Sequence, residues 1–299
     1  MAAPDATSSL RVLVLGASGQ IGHFLLPQLL AHGVAVEAVS RQAQPPAARV
    51  HWSRFDLYLN GDAAYRPDIV ISAGPLDGLL AWLSRTRHRP GRIVAFSSTS
   101  ASTKQGSTDP AERELAQRLL DSERVLQLHC QARGIGWTIL RPTLVYGCGL
   151  DANLSRIAAL ARRWRVVPLP ADAIGRRQPV HAQDLAACAW TAANTDVSLG
   201  KRYELCGGTS LTYLEMVRRT VRCLKPPGYV LRLPSWLFRL LVGPLQRLDL
   251  VPGLSAAMLD RMRTDLVFSA AEAERDLGWV GRPFQPDEAC FTAPDLPSS

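Results

Sequence analysis

A glycine-rich turn near the start of the chain has the spacing of a phosphate-binding site. Glycine recurs at every third position of the segment Gly16–Gly22 (GASGQIG), directly after the apolar run Arg11–Leu15 and just before a helical pattern. Glycines let the backbone turn tightly and approach a pyrophosphate, while unpaired N–H groups at the helix start face the anion. The sequence therefore predicts a dinucleotide site. Its predicted contacts are Gly16, Ser18, Gly19, Gln20, Ile21 and Gly22.

The end of the second predicted strand indicates which dinucleotide binds. An acidic residue there accepts from the ribose 2′-hydroxyl of NAD, whereas a nearby arginine accommodates the 2′-phosphate of NADP. The strand Val34–Val39 is followed by Ser40 and Arg41, and Glu37 lies inside the strand, where we expect it to point elsewhere. We predict that NADP is the cofactor, contacted by Ser40 and Arg41, with NAD as the alternative.

Asp56 and Leu57 are a further candidate contact for the dinucleotide. A hydrogen-bond acceptor at this place would suit the adenine amino group. An aspartate just before a short helix also serves as a helix cap. Both interpretations of Asp56 stay open at this point.

The elements that must position these residues alternate along the first half of the chain. The β-rich runs that we predict as strands are Arg11–Leu15, Val34–Val39, Asp68–Ser72, Arg92–Ser97 and Trp137–Arg141. Helical patterns separate them, the longest at residues 109–133. Such alternation predicts crossover units and a parallel sheet, and continuous apolar strands are typical of a sheet covered on both faces. The predicted fold class is α/β, a doubly wound (Rossmann) sheet.

The regular alternation loosens after about Tyr146, where prolines cluster and the helical segments become shorter. We predict that residues 10–150 and 178–206 form the dinucleotide-binding domain. Residues 151–177 and 207–299 are expected to form a smaller, discontinuous substrate-side part, and residues 1–9 a disordered tail.

Composition narrows the classes of protein further. The chain has 299 residues, of which 47% are hydrophobic and 20% charged, so wholesale disorder, collagen-like repeats and coiled coils are excluded. Its six cysteines form no C-x-x-C pair, which argues against a disulfide framework or a zinc ribbon, and we predict no metal site. All but three of the 34 basic residues are arginine, whose planar fork suits phosphate and carboxylate groups.

The sequence also limits the possible binding partners and the cellular location of the protein. The polar N-terminus lacks a signal-peptide pattern, and no run reaches the ~20 apolar residues that span a bilayer. We expect a cytoplasmic protein with a small-molecule substrate that is anionic or lipophilic. Nucleic acid is not expected as a partner, because it would need basic residues interleaved with aromatics, and Trp164 alone beside the arginine clusters is too little. Contact with a membrane surface stays open, and the sequence predicts no oligomeric state.

Six motifs along residues 10–284 carry a family resemblance. In chain order they are the glycine turn, FSSTS at 96–100, ILRPTLVYG at 139–147, PVHAQDLA at 179–186, YELCGG at 203–208 and LGW at 277–279. With these motifs the chain resembles the extended or atypical short-chain dehydrogenase/reductase superfamily, of the NAD-dependent epimerase/dehydratase type. The resemblance implies a Rossmann fold, an NAD(P) cofactor, and a catalytic hydroxyl at Thr99. It also implies cofactor contacts at Ala73, Gly74, Ser97, Ser98 and Pro142.

The chain departs from this superfamily at the residues that transfer protons. The superfamily carries Tyr-x-x-x-Lys in its long helix, where the tyrosine is the general acid/base and the lysine lowers its pKa. The matching positions are Leu115 and Leu119, and no Tyr-x-x-x-Lys occurs anywhere in the chain. Positioned acid–base catalysis contributes ~10²–10⁴-fold, and leucine cannot supply it. We therefore predict an NADP-dependent oxidoreductase or epimerase/dehydratase-like enzyme with an altered acid/base. The alternative is a non-catalytic dinucleotide-binding redox sensor or assembly subunit.

Other polar and aromatic residues are candidates for a role in the site. Lys104 follows Thr99 by five residues and is either a replacement base or a solvated loop lysine, while Glu112 and Glu114 flank the missing tyrosine. Tyr146 is expected to pack in the nicotinamide pocket. The arginine clusters at 162–165, 176–177 and 218–219 suit either a substrate phosphate or a solvated face. The segment at 234–242 (PSWLFRLLV) suits a core helix, a lid over a lipophilic substrate or a membrane interface.

Overall fold

A seven-stranded parallel sheet lies at the centre of the computed structural model, which describes residues 10–46, 49–238, 240 and 256–294. The tail predicted at residues 1–9 lies outside the described residues. Numbered in chain order, the strands of this sheet are β1 (Arg11–Leu15), β2 (Ala35–Ser40), β3 (Val50–Arg54), β4 (Ile69–Ser72), β5 (Arg92–Phe96), β6 (Gly136–Pro142) and β11 (Lys201–Leu205). They run in the order β11-β6-β5-β4-β1-β2-β3, and all neighbours are parallel. This order confirms the predicted doubly wound sheet.

The winding direction of the sheet reverses at β1, which pairs with β2 on one side and β4 on the other. In doubly wound sheets, ligands bind beyond the carboxyl ends of the strands at this switch point. Gly16 follows β1 directly, and Ala73 and Gly74 follow β4, so the fold brings these predicted contacts to one edge.

Helices cover both faces of the sheet, and others pack with the short strands described below. They are α1 (Gln20–Ala31), α2 (Leu76–Leu83), α3 (Ser100–Thr103), α4 (Pro110–Arg133), α5 (Leu154–Trp164), α6 (Ala182–Asn194), α7 (Tyr213–Arg222), α8 (Ala256–Arg263) and α9 (Ala271–Leu277). Helix α2 ends at Leu83, and the Thr86 hydroxyl just after it donates to Asp62 Oδ1 at 2.7 Å. No described helix combines the length and apolarity that crossing a bilayer requires.

Strand β1 shows why the sheet strands are continuously apolar. Val12 and Val14 lie in a core cluster with α1 and α6, while Leu13 and Leu15 lie in another cluster with α2 and α4. Successive side chains of a strand point to opposite faces, so a sheet covered on both faces needs apolar residues at every position.

The remaining strands are short and belong to three two-stranded sheets. They are β7 (Val145–Tyr146), β8 (Val166–Pro170), β9 (Arg176–Arg177), β10 (Val180–His181), β12 (Leu211–Thr212) and β13 (Tyr229–Leu233). Together with α5, α7 and α8 they surround a third core cluster, which contains Tyr146, Met216 and Phe284. Residues 270–279 pack instead with the cluster of α1 and α6. The domain limits given above stay a prediction.

Candidate dinucleotide and substrate site

The glycine turn forms a cradle that side chains would fill. Gly16 has φ +73°, and a Cβ there would lie 2.5 Å from the backbone N of Gly74. A Cβ on Gly22 would lie 2.2 Å from the carbonyl oxygen of Ala17. Both contacts are shorter than atoms tolerate, so the close approach of β1, β4 and α1 requires glycine at these two positions.

The N-terminus of α1 is open to an anion. Its N-cap is Gly19, no side chain caps it, and the first turn holds no acidic residue. A Cβ on Gly19 would meet only the carbonyl oxygen of Gly16 at 3.1 Å, so space remains above the turn. The unpaired N–H groups of the first turn and the positive end of the helix dipole therefore face a free space at the switch point.

Two buried polar atoms at this edge have no partner within the described chain. They are Nε2 of Gln20, in the first turn of α1, and Oγ of Ser72, at the end of β4. Buried polar groups in proteins are nearly always hydrogen-bonded. These unpaired atoms and the glycine cradle fit a polar, anionic ligand such as a dinucleotide.

The end of β2 lies beside the glycine turn, as the cofactor prediction requires. The Ser40 hydroxyl donates to Ser18 Oγ at 3.3 Å, which joins the two segments. Arg41 is exposed, and Arg54 at the end of β3 is exposed next to it, with its Nε donating to the Arg41 carbonyl at 3.2 Å. Two cations thus stand where the ribose of a bound dinucleotide is expected.

Glu37 points away from this end of the sheet, as expected from its place inside β2. Its carboxylate is buried and accepts from the Ser53 hydroxyl at 2.5 Å and from the backbone N–H groups of Ala64 and Tyr65 at 2.7 and 3.2 Å. Glu37 therefore holds a loop in place and is not available to a ribose.

Asp56 caps a turn, whereas Leu57 forms part of a wall. Asp56 Oδ1 accepts from the Tyr58 N–H at 2.8 Å, which is the capping interpretation. The Leu57 side chain is buried, and its Cδ1 lies 3.8 Å from the place that a Cβ on Gly74 would take. Leu57 thus lies against the segment Ala73–Gly74, on the side of the sheet where the adenine is expected.

Residues 97–99, which follow β5, lie beside the end of β6. The backbone N–H and the hydroxyl of Thr99 both donate to the Pro142 carbonyl at 3.2 Å. The Ser98 hydroxyl accepts from the Ser100 N–H at 3.1 Å, and the Ser97 hydroxyl donates to Glu123 at 2.6 Å. Thr99 is buried with its donor occupied, which leaves its hydroxyl able to accept but not to give a proton.

Glu123 is the centre of a buried ionic network behind this site. It lies on α4 at 1% exposure and accepts from Arg141 Nε at 2.9 Å and from the second guanidinium nitrogen of Arg141 at 2.5 Å. Arg202 on β11 lies 3.3 Å from the same carboxylate. The bond to Glu123 raises the pKa of Arg141. The network ties α4 to β5, β6 and β11.

A charged cluster lies one helical turn from the leucine that replaces the tyrosine. Leu115 and Leu119 are half-buried on α4, and Glu112 precedes Leu115 by three residues, on the same side of the helix. Lys104 Nζ lies 3.5 Å from Glu112 Oε1, and Arg261 on α8 forms an ion pair with the same carboxylate. We call these three charged residues the Lys104 cluster.

The surroundings of Lys104 change its chemistry. Its side chain is 20% exposed, and burial, followed by repulsion from Arg261, lowers its pKa. The interpretation as a freely solvated loop lysine is therefore wrong. The sequence analysis missed Arg261, because it is far from Glu112 in the chain and no local pattern marks it.

A second pocket contains a cysteine–histidine pair that is not activated. Cys290 Sγ lies 3.9 Å from His181 Nε2, beside Tyr146, in a cavity of about 400 Å³. Burial raises the pKa of Cys290 to about 11 and lowers that of His181 to about 4. At neutral pH the pair is thus a thiol and a neutral imidazole.

His181 caps α6 by accepting from the Gln183 N–H at 3.1 Å, which is a structural role. Tyr146 is 1% exposed and packs, as predicted.

All three arginine clusters make contacts within the protein, and in the first of them Arg162 donates to the Phe291 carbonyl at 2.8 Å. Arg177 is buried and donates to the carbonyls of Thr264 and Arg261, so it positions α8. Arg218 and Arg219 pair with Glu215 on the same helix. These contacts leave neither of the latter two clusters as a phosphate site of the kind considered from the sequence.

Comparisons with known proteins show what the chain is similar to in sequence. No protein-family model matches it. It is 27% identical to a UDP-glucose 4-epimerase of Vibrio cholerae over 143 residues, which are 47% of this chain and 40% of that protein. The match thus covers less than half the length of that relative.

Solved structures match nearly the whole chain. A UDP-glucose 4-epimerase of Thermotoga maritima, solved with UDP-glucose, superposes with a TM-score of 0.70 at 15% identity, over 95% of this chain and 97% of that one. A UDP-glucuronic acid 4-epimerase of Bacillus cereus, solved with UDP-glucuronic acid and NAD, superposes with a TM-score of 0.68 at 15% identity, over 91% and 94%. At such identities the likeness shows a common fold.

Proposed function

We propose that this protein is an NADP-dependent enzyme of the epimerase/dehydratase kind. The basis is its fold, which is that of the NAD-dependent epimerases and dehydratases of the short-chain dehydrogenase/reductase superfamily. The observation that carries the proposal is the cradle of Gly16, Gly19 and Gly22, with unpaired buried polar atoms beside an uncapped helix. A bound dinucleotide would satisfy all of these features.

The preference for NADP rests on charge at the end of the second strand. Arg41 and Arg54 are exposed and adjacent, and the acidic candidate, Glu37, has its carboxylate bound to a loop. A 2′-phosphate would gain two charged donors there, whereas a 2′-hydroxyl would find no acidic acceptor. The Bacillus cereus structure contains NAD, so the choice of NADP is specific to the residues of this chain.

We assign the acid/base role to Lys104. When bound, a nicotinamide dinucleotide would supply hydride transfer at a carbon that bears a hydroxyl, and a residue of this chain would have to accept or return the hydroxyl proton. Lys104 has a lowered pKa, so more of its amine is neutral and able to accept that proton than in an ordinary lysine. Glu112 holds Lys104 in place from the turn before Leu115, and Arg261 favours the neutral amine.

The substrate class follows from the relatives and from the charge of the chain. The two epimerase structures contain UDP-glucose and UDP-glucuronic acid, which are anionic sugar nucleotides. The chain has a formal net charge of +8, with a large excess of arginine. We therefore propose a small anionic substrate of the sugar-nucleotide class.

One observation favours a second candidate function. Leu115 and Leu119 occupy the positions of the catalytic pair, and they make that side of the site apolar. A protein that binds the dinucleotide without turnover, as a redox sensor or an assembly subunit, would need no proton-transfer group there. Binding and turnover must therefore be measured separately.

The binding experiment is a titration of the purified chain with NADPH and NADH, followed by nicotinamide fluorescence. Gly19→Ala places a methyl group in the proposed phosphate space, and we expect binding to weaken at least about tenfold. Gly106→Ala is the matched control, because a Cβ at Gly106 meets nothing within 4 Å. Absence of binding by the folded wild-type chain at millimolar nucleotide would overturn the proposal.

The turnover experiment separates the two candidate functions. The loaded protein is incubated with UDP-glucose and UDP-glucuronic acid, and the sugars are followed by nuclear magnetic resonance. New sugar signals or a change in nicotinamide absorbance support the enzyme. Tight binding with unchanged sugars and a flat absorbance trace supports the non-catalytic protein.

A further inference from the structure

The small sheet of β8 and β13 exposes an apolar face that the protein core does not use. In its register Val166 pairs with Tyr229 and Pro168 with Leu231, so these four side chains share one face. Val166, Tyr229 and Leu231 are 39%, 66% and 49% exposed. The opposite face is buried, since Val167 and Leu169 lie in the third core cluster. A two-stranded sheet that covers a core needs only one apolar face.

Two exposed tryptophans flank the strands of this sheet in the chain. Trp164 ends α5 just before β8 and is 62% exposed, and Trp236 follows β13 and is 69% exposed. Arg165 joins the first tryptophan to β13, because its carbonyl accepts from the Tyr229 N–H at 2.8 Å and its guanidinium donates to the Pro227 carbonyl at 2.6 Å. We call the exposed residues Trp164, Val166, Tyr229, Leu231 and Trp236 the aromatic face.

The two stretches of chain that carry the aromatic face are rich in basic residues. Residues 152–171 and 216–238 hold nine arginine or lysine residues and no aspartate or glutamate. Arg163, Arg222, Lys225 and Arg232 are exposed among them, and the Arg163 guanidinium lies 5.2 Å from the centre of the Trp164 ring. The surface therefore combines exposed aromatic and aliphatic side chains with an excess of positive charge. The acidic residues that border these stretches include Asp172, which pairs with Arg263, and Glu215, which pairs with Arg218 and Arg219.

This combination fits the surface of a lipid bilayer. Tryptophan and tyrosine rings have an apolar body and a polar edge, and they concentrate at membrane–water interfaces. Arginine and lysine beside them attract anionic headgroups. Aliphatic residues such as Val166 and Leu231 would enter the acyl region, whereas a nucleic acid offers such side chains no favourable contact.

From the register, exposure and charge we infer that the aromatic face docks this protein on an anionic phospholipid bilayer. For the segment at 234–242, the sequence left three interpretations open: a core helix, a lid over a lipophilic substrate and a membrane interface. Its described residues differ in their surroundings. Phe238 is buried in the third cluster, whereas Trp236 stands on the aromatic face. Residues 239, 241 and 242 lie outside the described residues. The inference does not depend on the cofactor, so it can be tested separately from the proposed function.

The test is sedimentation of the full chain with vesicles of phosphatidylcholine, with and without a one-third share of phosphatidylglycerol. We expect sedimentation only with phosphatidylglycerol, and release at high salt. Trp164→Ala combined with Trp236→Ala is expected to weaken binding at least about tenfold. Val280→Ser, at an 83% exposed apolar residue elsewhere, is the matched control and should bind as the wild type does.

Charge and depth of insertion give two further readouts. Arg163→Glu with Arg232→Glu is expected to abolish the preference for phosphatidylglycerol, whereas Arg124→Glu, at an exposed arginine of α4, is expected to keep it. Brominated acyl chains are expected to quench the tryptophan fluorescence of the wild type more than that of the double-tryptophan variant.

Three outcomes would overturn the inference. The first is equal sedimentation with and without phosphatidylglycerol, or none with either. The second is a change from dimer to monomer in the double-tryptophan variant, which would make a second copy of the chain the occupant. The third is tighter binding to a single-stranded oligonucleotide, lost in the same variant.

Discussion

Lys104 Nζ lies 3.5 Å from Glu112 Oε1, one helical turn before the place where the superfamily carries its tyrosine. The two residues come from different elements, the end of α3 and the first turn of α4, and the Ser107 hydroxyl donates to the second oxygen of Glu112 at 2.8 Å. The loop between α3 and α4 thus folds its lysine back onto the helix that carries Leu115 and Leu119.

Replacement of the lysine tests whether this contact is catalytic. Lys104→Met is expected to lower turnover ~10²–10⁴-fold, because the site loses its proton acceptor. NADPH binding should stay unchanged, since the cradle is elsewhere. Glu114→Gln, at an exposed glutamate next to Glu112, is the matched control. Turnover of Lys104→Met at the wild-type rate would remove Lys104 from the mechanism.

The same assignment predicts a dependence on pH. A base must be neutral to accept a proton, so the rate of hydroxyl oxidation should rise with pH as Lys104 loses its proton. Burial and Arg261 lower the pKa of Lys104, so this rise should come at a lower pH than for an ordinary lysine. Arg261→Gln removes one cause of the lowering and is expected to move the rise to higher pH. A profile that does not move in Arg261→Gln contradicts the assignment.

The exposed arginine after β2 should decide the choice of nucleotide. Arg41→Ala is expected to weaken NADPH binding about tenfold, the loss of one charged hydrogen bond, and to leave NADH binding nearly unchanged. Dissociation constants of both nucleotides measure the effect, with Arg124→Ala on α4 as the control. Equal preference for the two nucleotides before and after the change would contradict the choice of NADP.

The buried network of Glu123 should contribute strongly to stability. Glu123→Gln keeps the shape of the side chain but removes the carboxylate that is hydrogen-bonded to Arg141, and breaking a buried pair in this way costs about 3 kcal/mol or more. Urea unfolding measures the loss. Asp121→Asn on the exposed side of the same helix is expected to change the free energy of unfolding by less than about 0.5 kcal/mol. Equal midpoints for the two variants would refute this role.

His181 should make the protein less stable on the acid side. Burial, and then repulsion from Arg282, lower its pKa from 6.5 to about 4 in the folded protein. Above pH 6.5 the histidine is neutral in both states. As the pH falls from 6.5 towards 4, only the unfolded chain takes up the proton, so up to about 3 kcal/mol of stability is lost.

The variant His181→Asn keeps the N-cap of α6 but has no titratable side chain at that position. Asn is a favourable N-cap residue, so His181→Asn can still accept from the Gln183 N–H. The free energy of unfolding of His181→Asn is expected to fall less steeply between pH 6.5 and 4 than that of the wild type. His51→Asn, at an exposed histidine, should leave the slope unchanged. Parallel slopes for all three proteins would contradict the burial argument.

The sequence predicted the parallel sheet and the glycine turn because those signals are local. The glycine spacing of Gly16–Gly22, the continuous apolar strands and the helical pattern at 109–133 each depend on residues a few positions apart. The structure has the expected strands nearly at the expected places, and Glu37 points away from the cofactor edge as its place inside the strand implied.

Contacts between distant segments could not be derived in the same way. Lys104 was interpreted mainly as a solvated residue, because nothing near it in the chain shows that Glu112 and Arg261 surround it. The same is true of Arg177, which belongs to a basic cluster in the sequence but is buried against the carbonyls of α8 in the fold. Burial and pairing of a charge depend on which elements pack over it.

By itself, then, the sequence determined that the chain builds a doubly wound sheet with a glycine-rich turn after its first strand and contains no Tyr-x-x-x-Lys. Glycine spacing and residue identity are sufficient for these conclusions, since they concern the backbone and the presence or absence of a chemical group. Only the tertiary structure decided which charges meet beside Leu115 and which aromatic residues stay outside the core. Both depend on packing between segments that are far apart in the chain, and no local pattern encodes it.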